Sequence, residues 1–390
     1  MDQQDKDMQG EDLASEIKAA GRYGFSRRGF VKGAGLGALT FLGAALAGCA
    51  NNSDASAGSA SGSADAGSSD GEKDTFEVTD MGGTKVQVPT KLEKYADGWF
   101  AHNEVTIMLT GAKGLVATAC DPKAYGWMYK VNEPINDATL SFGQGFNFEE
   151  LAALKPQVIF DSKDTLRDKA AEVGIPVVNC LFTTFDEMQK SIELSATVFG
   201  GDAPDIAQKY NKELDKTVKD IEAKTKGLAE SEKPKVMHGA SVYALTIDGT
   251  QTIIDDWIKV AGGVNAVTES TKGNAQAKFS MEQVLAWNPD VIITGKAGED
   301  QQILNDPNWA SVKAVQDKKV YVNPKGVFGW DRYGVEELLQ VQWAASILHP
   351  DLFKDLKIED KVKVFYKTYL DYELTDDDVK LIMAAKQPAK

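Results

Sequence analysis

Among residues able to do chemistry, the arginines stand out by scarcity. Past residue 48 the chain has only Arg167 and Arg332, every other fixed cation being a lysine. Arg332 lies in "FGWDRYG", a glycine- and aromatic-rich stretch where a guanidinium can hold a carboxylate, catecholate or oxyanion in a bidentate fork. Asp331 beside it, with Glu336 and Glu337 within a turn, makes a structural ion pair the competing reading. Aromatic rings gather in other predicted loops: Trp99 and Phe100 with His102, "YGWMY" with Tyr125, Trp127 and Tyr129, "FGQGF" with Phe142, then Tyr243 and Trp330. Such faces suit a large, flat or partly apolar ligand. Trp287 and Trp343 fall on predicted helices and read as core. Lys163 and Lys296 are either extra positive charge for a ligand or plain solvated lysines. The histidines, His102, His238 and His349, are too few to assemble a zinc or manganese site, although one could serve as an axial haem ligand. No G-x-S-x-G, H-E-x-x-H, phosphate-binding Gly loop or C-x-x-C occurs, so neither catalytic residues nor a cofactor are expected.

The elements that must position these groups are announced by a repeat. "FEELAALKPQVIF" (Phe148 to Phe160) recurs as "MEQVLAWNPDVII" (Met281 to Ile293), sharing Glu149/Glu282, Ala153/Ala286, Pro156/Pro289, Val158/Val291 and Ile159/Ile292 without a gap. Each copy reads as a helix, a proline stop and a buried strand. Around them, after a hairpin at Phe76 to Pro89, apolar strands alternate with helices. The strands are expected at Gly98 to Ala101, Leu115 to Ala119, Gln157 to Asp161, Pro176 to Cys180, Lys235 to Gly239, Asp290 to Thr294 and Lys319 to Val322. That alternation predicts parallel sheets covered on both faces. Between the halves, the charged segment from Ala203 to Lys233 has an apolar stripe at helical spacing, so it reads as one long helix, or as a short coiled-coil partner. The fold class is therefore α/β: two Rossmann-like lobes with central parallel sheets, 76–202 and 234–390, joined by a helix at 203–233. The strand ends would place the aromatic loops in a cleft between the lobes.

The ends carry a separate signal. "SRRGFVK" (Ser26 to Lys32) matches a twin-arginine export signature and precedes an uncharged run from Gly33 to Ala47, short of the about 20 apolar residues that span a bilayer. "LAGC" then ends on Cys49 and resembles a lipobox, so 1–48 is expected to be removed and Cys49 lipidated, anchoring the chain outside the cytoplasm. Residues 49–75, almost wholly Ser, Ala, Gly, Asp and Asn, form a tether that cannot bury enough apolar surface to order itself. The 390-residue chain carries a net charge of −15, and the acidic and basic residues of 1–48 cancel, which excludes nucleic acid as a natural partner. Cys120 and Cys180 each follow a predicted strand and are expected to be unbridged and partly buried.

Taken in order, the hairpin ending in "VP", "NFEELAALKPQVIF", "GIPVV" with "TTFDEMQKSI", "AGGVNAV", "SMEQVLAWNPDVII" and "VYVNP" resemble the substrate-binding lipoproteins of ABC importers. The class is the one that carries iron-siderophores, haem and cobalamin. The resemblance spans Phe76 to about Phe353. It implies a monomeric, extracytoplasmic receptor that captures a small-molecule metal chelate between its lobes and delivers it to an ABC permease with its ATPase. It also implies that Glu149 and Glu282 dock onto permease arginines; an ordinary charge at a helix N-terminus is the alternative. With so few arginines, a strongly anionic catecholate chelate is disfavoured. A ferric siderophore is the first expectation, then cobalamin or haem, then an oxyanion such as molybdate. A sensor or storage protein of the same fold is the competing class.

Overall fold

The structure, a computed structural model, describes residues 74–142, 146–272 and 276–389. The twin-arginine segment, Cys49 and the tether as far as residue 73 lie outside the described residues. An antiparallel hairpin, β1 (Thr75–Thr79) and β2 (Lys85–Pro89), opens the fold. It is fastened to the first lobe by Arg167, whose Nη1 donates to Val177 O (2.8 Å) while Nη2 pairs with Asp80 and Asp164 (2.5 Å each).

The first lobe is built on β3 (Tyr95–Asp97), β4 (Leu115–Thr118), β5 (Thr139–Leu140), β6 (Val158–Asp161) and β7 (Val177–Asn179), in the order β5-β4-β3-β6-β7. The second is built on β8 (Lys235–Gly239), β10 (Val264–Asn265), β12 (Val291–Thr294) and β13 (Val320–Val322), in the order β10-β8-β12-β13, while β9 (Thr246–Ile247) and β11 (Ala277–Lys278) pair apart. Every neighbour in the two larger sheets is parallel. The order β4-β3-β6-β7 maps directly onto β10-β8-β12-β13. The repeated phrase supplies β6 and β12, the same internal strand of each sheet, and the helices before them, Phe148–Ala153 and Met281–Trp287. All four residues of β6 and of β12 are buried, as a strand covered on both faces requires.

The helix Ala203–Thr225 joins the lobes, turning inward Tyr210, Leu214 and Ile221 from its predicted stripe. The stripe thus packs within the chain, and no coiled-coil partner is needed to explain it. This helix ends at Thr225, and a short 3-10 turn at Glu230–Glu232 leads into β8. One predicted strand is displaced: Gly98 to Ala101 is a turn after β3 rather than a strand. Asp97 causes this. Its carboxylate accepts from Trp99 N (3.3 Å), His102 Nδ1 (2.8 Å) and Thr106 Oγ1 (2.7 Å), curling the chain into the helix His102–Thr110. The last helices, Ile358–Tyr369 and Asp376–Met383, complete the second lobe.

Candidate functional site

The two lobes meet along a seam, and the loop from Lys325 to Glu336 of the second lobe reaches across it. The Phe328 ring stacks on Tyr125 of the first lobe, centroids 5.7 Å apart and planes 9° from parallel. Tyr333 meets Trp99 at 6.0 Å and Phe182 at 5.7 Å. Val335 O accepts from Tyr210 of the joining helix (2.7 Å). Across the same seam, Asp256 accepts from Phe185 N (2.8 Å). Phe100 lies against Tyr125 at the edge of this aromatic floor, while Phe142 stacks on Phe146 (5.4 Å) over Gly98. Two of these rings sit on strained backbone, with φ of 68° at Phe142 and 58° at Tyr333. Bulky residues adopt that region only where the surroundings enforce it, and such positions concentrate at ligand clamps.

Of the residues singled out from sequence, Trp99 and Tyr125 meet rings of the second lobe and Trp127 its C-terminal tail, whereas Phe142 and Arg332 make their contacts within their own lobes. His102 is wholly buried in the first lobe, with Nδ1 on Asp97 (2.8 Å) and Nε2 on Ser195 Oγ (2.8 Å). Burial alone would pull the imidazole down, but the Asp97 carboxylate outweighs it and pushes it up to about 10. Both ring nitrogens then donate, and the Ser195 hydroxyl donates its own hydrogen bond to Ser191 O (2.8 Å). An Asp-His-Ser line of this kind, with the hydroxyl committed and no exposed atom on the histidine, is scaffold and not a nucleophile. Trp127, expected at the ligand, instead lies under the C-terminal tail: its Nε1 donates to Lys386 O (2.9 Å). Trp330 is buried in the second lobe and donates to Glu336 Oε1 (3.0 Å). Tyr129 is tied to Cys120 O (2.6 Å), and the half-exposed Tyr243 to Asp306 (3.0 Å). Cys120 and Cys180 are both buried and form no disulfide.

Sequence reasoning missed Phe182 and took Phe328 and Tyr333 only as part of the "FGWDRYG" stretch. Tyr333 and Phe328 lie in the same "FGWDRYG" stretch as Trp330, but only the turn through Tyr333 decides which rings face the other lobe. It also missed the setting of Arg332. The guanidinium donates to both oxygens of Asp248 (Nη1 3.3 Å, Nη2 2.8 Å), and its Nε lies 3.1 Å from Asp331 Oδ2. With its amide oxygen turned inward, Gln276 accepts from the same two Nη groups (2.9 and 2.5 Å). Behind them His238, fully buried, bonds Asp248 through Nδ1 (2.9 Å) and has Nε2 2.9 Å from Asp331 Oδ2, off hydrogen-bond alignment. Burial works against a charged His238, yet contact with Asp248 and Asp331 raises it. Burial would likewise raise Asp248, but Arg332 and His238 hold it down at about 2. Among the described residues no group of histidine, cysteine and carboxylate side chains is arranged to hold a metal ion.

Beneath the crossing loop sit Glu104, from the first lobe, and Glu336 and Glu337, from the second, all fully buried. Glu336 accepts from Tyr366 Oη (2.7 Å), Trp330 Nε1 and Phe328 N (3.0 Å each). Glu104 and Glu337 make no hydrogen bond of normal geometry among the described residues. Burial pushes all three carboxyls up, Glu336 to about 7 and the other two well above the carboxylate range, Glu104 further because Glu336 lies beside it.

The repeated glutamates lie away from this seam. Glu149 and Glu282 are exposed in the first turns of their helices, behind the N-caps Asn147 and Ser280. Glu149 has Lys169 at 3.6 Å, and Glu282 is held below the usual range by its own backbone N–H and by Ser280.

Comparison with known proteins agrees with this architecture. Residues 103–326 match the family described as periplasmic binding protein. The chain is similar to the molybdate-binding protein MolA of Haemophilus influenzae, 27% identical over 319 residues covering 75% of this chain and 90% of that one. It is also similar to YvrC of Bacillus subtilis, an uncharacterised ABC transporter substrate-binding lipoprotein, 25% identical with 83% and 99% covered. A solved periplasmic solute-binding protein from Veillonella parvula superposes with a TM-score of 0.67 at 30% identity, covering 79% of this chain and 97% of that one. With two matched parallel lobes, one joining helix and these likenesses, the chain belongs to the periplasmic binding protein family, as an extracytoplasmic solute-binding receptor of an ABC importer and not an enzyme.

Proposed function

We propose that the protein captures a metal chelate at the interlobe seam, an iron-siderophore in the first instance, and hands it to its permease. The observation that carries this reading is the aromatic floor shared by both lobes, Tyr125 on Phe328 and Trp99 with Phe182 on Tyr333. These rings are closed on one another, with Trp99, Tyr125, Phe182 and Tyr333 at most 6% exposed, so a large ligand would gain their stacking as the lobes part. Cobalamin fits the same surface. Haem falls behind it, because His102, His238 and His349 are all buried and engaged, the last with Nε2 on Gly262 O (3.0 Å). A twin-arginine leader, a lipid on Cys49, a monomeric state and permease contacts through Glu149 and Glu282 complete the proposal.

A second reading, a molybdate-type oxyanion, is favoured by the likeness to MolA. A thermal-shift panel of ferric hydroxamate, ferric catecholate, cobalamin, haem and molybdate separates the two. Ligand at 100 times its Kd stabilises a fold by about 2.7 kcal/mol. A shift with molybdate alone would replace the chelate reading by the oxyanion one, and no shift with any of them would sink both.

A further inference from the structure

We propose that Asp248 sets the charge selectivity of the seam: by filling the guanidinium fork of Arg332 it makes the receptor accept neutral or cationic chelates and reject polyanions. The inference rests on the chelate-receptor reading and adds a specificity residue to it. An arginine in a ligand cleft ordinarily signals an anionic cargo, since its planar fork matches two oxygens. Here the fork is already matched. Both Asp248 oxygens meet Arg332 Nη groups at 3.3 and 2.8 Å, Asp331 lies against Nε at 3.1 Å, and Gln276 caps the same two nitrogens. Asp248 and Asp331 are 1% and 3% exposed, so neither swings out to make room.

Counting charges leads to the same place. With His238 protonated, two cations face two carboxylates; with His238 neutral, the cluster is negative. Neither state leaves positive charge for a ligand. Of the lysines, Lys296 is 3.9 Å from Glu299, and Lys325 lies over the Tyr125 ring (5.2 Å), a single cation that the uncharged ring does not neutralise. Glu104, Glu336 and Glu337, buried behind the same loop, add no positive charge. A polyanion entering the seam would lose its hydration against at most the single Lys325 charge, and one that displaced Asp248 would strand a buried carboxylate beside Asp331. An uncharged or cationic chelate meets neither obstacle. It can present its own donors and apolar edge to the rings while the Asp248–Arg332 pair stays closed.

The test titrates the mature protein and Asp248→Asn with ferrioxamine B (a cationic ferric tris-hydroxamate), cyanocobalamin (uncharged), a ferric tris-catecholate (trianionic) and molybdate, following tryptophan fluorescence. The wild type should bind ferrioxamine B or cyanocobalamin and neither anion at comparable concentration. Asp248→Asn, which is isosteric and unmasks the fork, should shift the anion-to-neutral affinity ratio towards anions by about tenfold or more. A wild type that prefers the tris-catecholate or molybdate overturns the selectivity rule while leaving the receptor reading intact. A folded Asp248→Asn with an unchanged ratio also overturns the rule. Should that variant not fold, the wild-type ranking decides alone, and a wild type that binds none of the four removes the chelate reading together with this inference.

Discussion

Arg167 and Arg332 share a side chain and divide the work. Arg167 staples the opening hairpin to the first lobe through Asp80, Asp164 and Val177 O, whereas Arg332, in the loop whose Tyr333 meets the first lobe, is held inside a charge cluster of the second. The buried titratable groups give the protein a predictable response to pH. Glu336, raised to about 7, and His102, raised to about 10, both bind protons more tightly in the folded than in the unfolded chain. Each therefore contributes stability that is complete below its unfolded pKa, about 4.5 and 6.5 respectively, and is lost as pH rises through the folded value. Asp248 acts in the opposite sense, but only as pH falls from about 3.8 towards 2. The urea midpoint should accordingly be higher at about pH 5 than at about pH 8. In Glu336→Gln that difference should shrink; an unchanged difference would mean Glu336 is already ionised in the fold.

Elements other than the joining helix also cross the seam, and they make specific demands on packing. The loop before the helix Glu337–Leu348 passes so close to Glu104 that a Cβ on Gly334 would stand 2.0 Å from Glu104 Oε2. Gly334→Ala should cost about 1 to 3 kcal/mol as an overpacked contact, measured by denaturant unfolding. A cost near zero would show that the two lobes are free to separate there. The C-terminal tail forms a second strap: beyond the Trp127 bond, Gln387 Oε1 accepts from Gly126 N (3.0 Å), its Nε2 donates to Ala124 O (2.9 Å), and Lys130 pairs with Asp378 (2.8 Å). It lies next to Tyr125, whose ring the cargo is proposed to meet. Deleting residues 386–390 should raise ligand dissociation and amide exchange in Gly126–Val131 while leaving the sheets protected. Equal exchange with and without the tail would rule out the strap.

At the scale of the whole molecule, the internal repeat sets an equivalent helix start on each lobe, the basis of the proposed permease contact. The helices that carry Glu149 and Glu282 precede topologically equivalent strands, so each lobe shows the outside one carboxylate at a matched place. Exposed charges such as these contribute little to stability. The double variant Glu149→Ala, Glu282→Ala should therefore unfold like the wild type, bind cargo normally and fail in uptake by whole cells. Retained uptake would remove both residues from the docking surface. The seam, by contrast, tolerates little change, because rings and buried acids of the two lobes are packed into one another across it.

Much of this molecule was legible in its amino-acid order, because periodicity and repetition are local properties. Val158–Ile159 and Val291–Ile292 announced two buried parallel strands, the stripe of Tyr210 and Leu214 announced the joining helix, and "SRRGFVK" with Cys49 supplied expectations about export that fall outside the described residues. The site was legible only as a set of loops. Which ring of "FGWDRYG" faces the partner lobe depends on the left-handed turn at Tyr333, and whether Arg332 is free depends on Asp248, 84 positions away in the chain. His102 looked like a ligand because it follows a strand, yet Asp97 folds it inward. Spacing along a chain specifies which face of an element is apolar, whereas the charge state and reach of a side chain are set by neighbours that only the packed lobes bring together.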